Sequence, residues 1–364
     1  MAAKFFFKGL NELRAIAALS VIFHHLELYS FREKRASLFN VPFLENFISN
    51  LGKNGVYLFF VLSGFLITYL LLKEKEQQQD VRIKDFYLRR VFRIWPLYFI
   101  LFLVAFVFIP LLVSQTTFFD SETYYMSLIH DAERYKTHTV LLYLLLLSNF
   151  ALPVVGASQS WSVSVEEQFY LIWPHLVKRF SRRKLLLAFI FLFVGILAYQ
   201  VLHLPYYALL KKIPLEIMAI GGVFAYCWFY HKNILEKYFR NNLLFAANLG
   251  LLFLGLLYPL PKIFLAVMFG LLILFVITDR SINLRNKTLA WLGTISYGIY
   301  MYHPFMMFLS SAISNKFFRQ DDGAYKILFY LLTITFTIAI SYLSYHFIEK
   351  KLIAFKDKKF STLK

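Results

Sequence analysis

Long apolar stretches recur along this chain, at about 11–29, 54–72, 92–113, 161–178, 185–202, 213–230, 242–259, 263–278, 289–312 and 327–348. Each is near the ~20 residues that an α-helix needs to cross a bilayer core. No water is available there, so a spanning segment must pair its backbone groups within itself, and a helix does so. A large soluble core would need helices with polar faces, and the stretch 185–199 has none. With 59% hydrophobic residues, 42 Phe, 24 Tyr and only 16% charged residues, the sequence predicts an all-α polytopic membrane protein of about ten transmembrane helices.

An eleventh apolar run, 140–155, ends in Ser148, Asn149 and Pro153, with Gly156 just beyond. Charge decides whether it crosses. If it does not, and the N-terminus is cytoplasmic, the inner segments hold 26 of the 39 basic residues and the outer segments 12. A crossing would flip the basic clusters after 178 to the outside. Both termini are therefore expected in the cytoplasm. The run 140–155 is read as a re-entrant or partly buried segment, a candidate cavity lining, the alternative being a short helix lying at the interface. The net charge of +18 follows from the inner-leaflet excess, which faces anionic membrane lipid, so no nucleic-acid partner is implied. The organisation expected is one integral domain, 1–350, and a basic cytoplasmic tail, 351–364. The lone Cys227 excludes an intramolecular disulfide framework. Lys4 and Lys8 precede the first stretch as in a signal peptide, but Arg14, His24 and His25 interrupt it, so an uncleaved first span is expected.

Arg14 and His25 are eleven residues apart, about 1,100° on a helix, so they share a face and lie roughly 16 Å apart along the axis. Ionisable residues within a span are functional candidates by default. A snorkelling arginine and an interfacial histidine are the plain alternatives. A neutral imidazole is a ready general base, and His24 is turned away from His25 by about 100°. Gly52, Gly55, Ser63 and Gly64 near the second span allow close helix packing. Arg89, Arg90 and Arg93 lie at i,i+3 and i,i+4 spacing entering the third span, where guanidinium forks suit phosphate or serve as a positive-inside anchor. In the run Ser158-Gln-Ser-Trp-Ser-Val-Ser-Val-Glu-Glu-Gln-Phe-Tyr170, Glu166 and Glu167 enter the bilayer with no basic residue nearby in sequence, so they need partners on other helices or a wet cavity. Tyr300 precedes His303 by about one turn, and Pro304 frees a backbone carbonyl. A buried His–Tyr hydrogen-bond cluster is the plain reading of that segment. No phosphate-cradling glycine loop, serine nucleophile elbow or zinc-ligand set is present, so no metal is expected.

Taken in order, five runs resemble the bacterial acyltransferase-3 family of integral membrane O-acyltransferases over nearly the whole chain. They are Leu10 to His25, Gly55 to Ile67, Phe86 to Pro96, Trp161 to Tyr170, and Ser296 to His303. Their joint order is specific, though each motif alone is not. The resemblance implies transfer of an acyl group, commonly acetyl, from cytoplasmic acyl-coenzyme A to a hydroxyl of an extracytoplasmic glycan or lipid-linked sugar. It implies a multi-pass protein of the bacterial inner membrane. Arg14 and His25 match the family's span-one pair, with His25 as general base or covalent acyl carrier. Arg89, Arg90 and Arg93 match its arginine-rich motif and would hold the coenzyme A phosphates. Glu166 or Glu167 would orient the histidine or the acceptor, and Trp161, Ser162, Tyr300 and His303 would contact the acceptor. Many relatives carry an appended periplasmic esterase-like domain. This sequence ends 14 residues after Lys350 and is expected to act without one, alone or with a separate periplasmic partner. The competing class is a carrier or flippase, which would often show an inverted repeat.

Overall fold

The computed structural model describes residues 7–116, 118–119, 123–201, 211–278, 284–318 and 322–360. Among them the regular structure is helical throughout, with no strand. In chain order the helices are α1 (Leu10–Arg32), α2 (Pro42–Gln78), α3 (Ile83–Leu103), α4 (Ile109–Gln115), α5 (Tyr124–His130), α6 (Thr137–Leu144), α7 (Ser160–Arg179) and α8 (Arg182–Val201). Then come α9 (Leu215–Phe239), α10 (Asn242–Leu257), α11 (Lys262–Ile277), α12 (Lys287–Thr294), α13 (Ser296–Phe317), α14 (Asp322–Ser344) and α15 (Lys350–Phe360). A π-turn at Val104–Phe108 joins α3 to α4, and another at Tyr345–Glu349 joins α14 to α15.

A helix lies at each of the ten apolar stretches, though the lengths are unequal. Residue 202, the last of its stretch, lies outside the described residues. Pro42–Gln78, Ile83–Gln115 and Asp322–Phe355 are each long and apolar enough to cross a membrane alone, and α9 with α10, bent by 97°, meet the test as a pair. In α1 the apolar run is broken by Glu12, Arg14, His24, His25 and Glu27. The stretch 289–312 is divided between α12 and α13 at Ile295. Within the run 140–155 the α-helix is only the last five residues of α6, up to Leu144, followed by a 3₁₀ turn at Ser148–Phe150. All eight residues of α6 rise about 12 Å against a core of about 30 Å. Beyond α6 the backbone leaves the helix through Leu146 at φ 58.

The chain gathers into two compact units. The first comprises Met1–Ser20, Ser49–Arg82 and Val165–Thr294. In it, α2 and α9 meet backbone to backbone. A Cβ on Gly64 would lie 1.9 Å from the Met218 carbonyl, and one on Gly221 would lie 2.2 Å from that of Val61. Helix ends are capped by side chains from other helices. Asn50 and Asn54 donate to the Leu256 and Gly255 carbonyls at the end of α10, at 3.2 and 3.0 Å. Lys75 Nζ donates to Val177, Lys178 and Phe180 carbonyls at 2.7, 3.0 and 2.8 Å. Those are the orphan acceptors at the end of α7, where the helix dipole also favours a cation.

The second unit comprises Val21–Ile48, Ile83–Ser164 and Ile295–Lys364. Small polar residues let α13 and α14 pack closely: Ser310, Ser311 and Ser314 on one, Thr333, Thr337 and Ser341 on the other, all buried. Tyr297 on α13 donates to the Ile94 carbonyl of α3 at 2.9 Å, and Tyr98 on α3 donates to that of Tyr143 in α6 at 2.8 Å. Glu27, 1% exposed, accepts from the Leu38 amide at 2.7 Å, from Ser37 Oγ, from Tyr330 Oη and from Lys326. A buried carboxylate is tolerable only with such a full set of donors.

Gly64→Ala should lower the thermal midpoint of the solubilised protein, because overpacking costs about 1–3 kcal/mol. Around Gly250 nothing lies within 4 Å of an added Cβ, so Gly250→Ala should be neutral or stabilising by up to about 1 kcal/mol. Parallel thermal melts followed by circular dichroism check both signs.

Candidate active site

The site is assembled in the second unit around a missing backbone proton. Pro304 sits inside α13 and has no N–H, so the Tyr300 carbonyl, four residues earlier, loses its helical donor. The His303 side chain turns back and supplies one: its Nδ1 lies 2.7 Å from Tyr300 O. A carbonyl can only accept, so His303 Nδ1 carries the proton. With the ring neutral, its Nε2 is then bare.

His25 Nδ1 lies 2.8 Å from that bare Nε2, and the two rings stack with centroids 5.0 Å apart and planes 14° from parallel. His25 must therefore donate through Nδ1, which leaves its own Nε2 without a proton. His303 is fully buried, at 0% exposure, while His25 lines a cavity of about 320 Å³. The neighbouring His24 takes a different course, with Nδ1 at 2.9 Å from the Ile48 carbonyl, and serves as an anchor between segments.

Four elements wall the cavity, one of them α13 through Pro304 and Met307. From α1 come His25, Leu28, Tyr29 and Arg32, at i, i+3, i+4 and i+7, one stripe of a helix. From the segment between α4 and α6 come Tyr124, Tyr125 and Leu128 of α5, together with Arg134. The third wall is the irregular backbone of 153–156, leading to Ser158, Gln159 and Trp161. A cluster of Ile109, Phe119, Met126, Val155 and Phe308 holds α5 and this backbone in place. Tyr29 stacks on Tyr125 with centroids 4.0 Å apart, and the Arg32 guanidinium lies 5.3 Å from the centre of the Tyr124 ring. Burial pushes the Tyr125 phenol up to about 12, so it remains a neutral hydroxyl. Gly156 adopts φ +81, a conformation that side chains rarely adopt.

Beneath this wall, Ser162 Oγ and Tyr300 Oη lie 2.8 Å apart, and each is 3.2 Å from the Gln159 carbonyl. Gln159 donates through Nε2 to the carbonyls of Gly156 and Met301. Two acceptors fix the orientation of its amide, so Oε1 is an acceptor. Of the four residues expected to contact an acceptor, Trp161 lines the cavity, while Ser162, Tyr300 and His303 are buried behind it.

The remaining candidates lie on other surroundings. Arg14 is half-buried on α1, 3.5 Å from Asn11 Oδ1. Glu166, in the first unit, accepts from Ser63 Oγ on one oxygen and Tyr170 Oη on the other, both at 2.9 Å. Glu167 is half-buried on the same helix. Either glutamate was expected to orient His25 or the acceptor; the His25 Nδ1 is bonded to His303. On α3, Arg89 and Arg90 are half-buried and Arg93 is exposed. Arg90 lies 5.5 Å from the Phe86 ring, and the Arg93 charge acts on the buried Glu349 carboxylate. Sequence reasoning missed Tyr29, Arg32, Tyr125, Arg134 and Gln159. The i+4 and i+7 spacing from His25 could have found the first two, and Gln159 lies in a run already singled out. Nothing in the sequence marks Tyr125 or Arg134.

Comparison with known proteins bears on this geometry. A family model described as "Acyltransferase domain", the acyltransferase-3 family, matches residues 7–346. A putative peptidoglycan O-acetyltransferase of Bacillus subtilis is 29% identical over 94% of this chain and 54% of its own length. The peptidoglycan O-acetyltransferase OatA of Listeria monocytogenes is 26% identical over 94% of this chain and 55% of its own. A putative O-acetyltransferase of Staphylococcus aureus is also 26% identical, over 94% and 56%. The chain thus spans about half the length of the curated relatives it matches. No solved structure matches it.

The proton pattern makes a direct prediction. Diethyl pyrocarbonate should modify His25 at its bare Nε2. In Pro304→Ala, the restored amide competes for Tyr300 O, and modification of His25 should slow severalfold. Peptide mass spectrometry after brief labelling measures it, and an unchanged rate would show that the proline does not govern the ring.

Proposed function

Because the chain belongs to the acyltransferase-3 family, we propose that it is a polytopic membrane O-acyltransferase. It moves an acyl group, acetyl by analogy with its named relatives, from cytoplasmic acyl-coenzyme A to a hydroxyl of an extracytoplasmic glycan of the peptidoglycan type. In this reading the ten helical stretches are spans, both termini are cytoplasmic, and the protein resides in the bacterial inner membrane. The observation that carries the proposal is the cavity-lining His25, with Nε2 left bare by the hydrogen-bond chain through His303 to Tyr300 O.

A sugar hydroxyl is too weak an acid to attack a thioester unaided at neutral pH. His25 Nε2 takes the hydroxyl proton as the oxygen bonds to the thioester carbon. The carbon–sulfur bond breaks, and His25 returns the proton to the departing thiolate. Positive charge that forms on His25 is shared through Nδ1–H with His303 and then with the Tyr300 carbonyl dipole, so the ring stays oriented through both proton transfers. The covalent variant uses the same lone pair: Nε2 bonds first to the acyl carbon as the carbon–sulfur bond breaks and the thiolate leaves, and the sugar oxygen then displaces Nε2, which takes up the hydroxyl proton as it is freed. Arg14 lies on the same helix as His25, eleven residues toward the cytoplasmic side, and would hold the donor near its thioester. Arg89, Arg90 and Arg93 offer guanidinium forks within about one turn of α3, a fit to the phosphates of coenzyme A. Glu166 and Glu167 would support the acceptor side.

The test uses the purified protein in lipid nanodiscs, with acetyl-coenzyme A and glycan oligosaccharides. Thioester loss and sugar-ester formation should proceed together. His25→Ala should lower the rate by about 10²-fold or more, and Arg90→Ala should raise KM for the donor more than it lowers kcat. Full activity in His25→Ala would overturn the assignment. Solute uptake without thioester loss would overturn the enzyme reading in favour of a carrier.

A further inference from the structure

The cavity carries a charge pattern that the acyl-transfer chemistry does not require. Arg32 and Arg134 both line it, and no Asp or Glu does. Glu33, next in sequence to Arg32, lies outside the lining: its carboxylate accepts from the Tyr124 and Tyr125 amides at 3.3 and 3.2 Å, and its charge acts on the Tyr125 side chain. Among the described residues no carboxylate pairs with Arg32. Its guanidinium lies against the Tyr124 ring, and its other contact is a hydrogen bond with the Tyr125 side chain. Arg134, whose side chain is 16% exposed, is fixed by Asp131 Oδ2 at 3.1 Å from its Nε and by the Pro153 carbonyl at Nη1. Of the two guanidinium groups in the lining, that of Arg134 is paired with a carboxylate and that of Arg32 is not.

The rest of the lining suits a sugar ring. Tyr29, Tyr125 and Trp161 offer aromatic surface. Gln159, 3% exposed, presents Oε1 as a buried acceptor that makes no hydrogen bond among the described residues. Its amide is already held by two carbonyls, so the free acceptor calls for an incoming hydroxyl or N–H. Seven residues of α1 separate His25 from Arg32, a rise of about 10 Å. The arginine side chain covers part of that distance. A hydroxyl at His25 and an anion at Arg32 would thus belong to the same sugar or to adjacent ones.

We infer that the acceptor is an acidic glycan, and that Arg32 and Arg134 select it by binding a sugar-borne carboxylate while Gln159 takes a hydroxyl. This rests on the acyl-transfer reading for the identity of the substrate, but binding tests it without turnover. Three probes serve: an oligosaccharide containing a hexuronic acid, its carboxyl methyl ester, and the neutral oligosaccharide bearing one phosphate ester. Equilibrium binding to the intact protein in nanodiscs is followed by intrinsic tryptophan fluorescence. The acid should bind about tenfold or more tightly than its methyl ester, as expected for charge-assisted hydrogen bonds. In Arg32→Gln and Arg134→Gln the gap should close by loss on the acid side. Equal affinity of acid and ester would overturn the inference, as would a variant that loses both ligands together. Preference for the phosphate over the carboxylate would overturn the choice of anion. Correct discrimination without thioester loss in the turnover assay would instead refute the acyl-transfer reading and leave the acidic-ligand site standing.

Discussion

One absent hydrogen, on the nitrogen of Pro304, organises the candidate site. A proline inside a helix costs about 3 kcal/mol where its ring and lost bond are uncompensated. Here His303 takes over the orphaned Tyr300 carbonyl, so the position is both tolerated and used. From that carbonyl outward each hydrogen bond dictates the next proton: His303 must donate at Nδ1 and accept at Nε2, and His25 must donate at Nδ1. The tautomer of an imidazole base is set by the hydrogen bond that its other ring nitrogen makes, often to a carboxylate or to a backbone carbonyl. A neutral imidazole anchored on a backbone carbonyl sets it without burying a second charge, which would be costly unless fully paired.

The same constraint recurs across both units, because polar groups inside an apolar helical protein must be satisfied by side chains. Lys75 closes the end of α7, Asn50 and Asn54 close that of α10, and Glu27 gathers amide, hydroxyl and ammonium donors. The irregular backbone around 148–159 follows the rule too. Ser148 and Ser164 share a hydrogen bond of 2.8 Å, Ser160 donates to Ser148, and Tyr143 Oη accepts from the Val154 amide. That network lets non-helical chain form a cavity wall.

Much of the helical scaffold was legible because burial in lipid leaves a signal in each stretch by itself. The face shared by Arg14 and His25 was legible for the same reason, since helical period is local. The break after Leu144 was foreshadowed by Ser148, Asn149 and Pro153, and the freed carbonyl by Pro304. What stayed hidden depends on which segments meet. The resemblance had Glu166 or Glu167 orienting His25 or the acceptor, and the partner of the His25 ring nitrogen is His303, 278 positions away. Arg134 and Tyr125 come from the segment between α4 and α6, whose composition marks nothing. Arg32 was readable in principle, two turns beyond His25, but lay just past the end of the apolar run.

The central claim is a protonation pattern, and it can be read directly. Protein labelled with 15N-histidine and held in lipid nanodiscs, with His25→Gln and His303→Gln variants for assignment, reports each ring nitrogen by its chemical shift and proton coupling. The account predicts that both rings carry their proton on Nδ1, with both Nε2 atoms bare and a coupling from the His25 proton to His303 Nε2. A His25 ring protonated at Nε2 would contradict it.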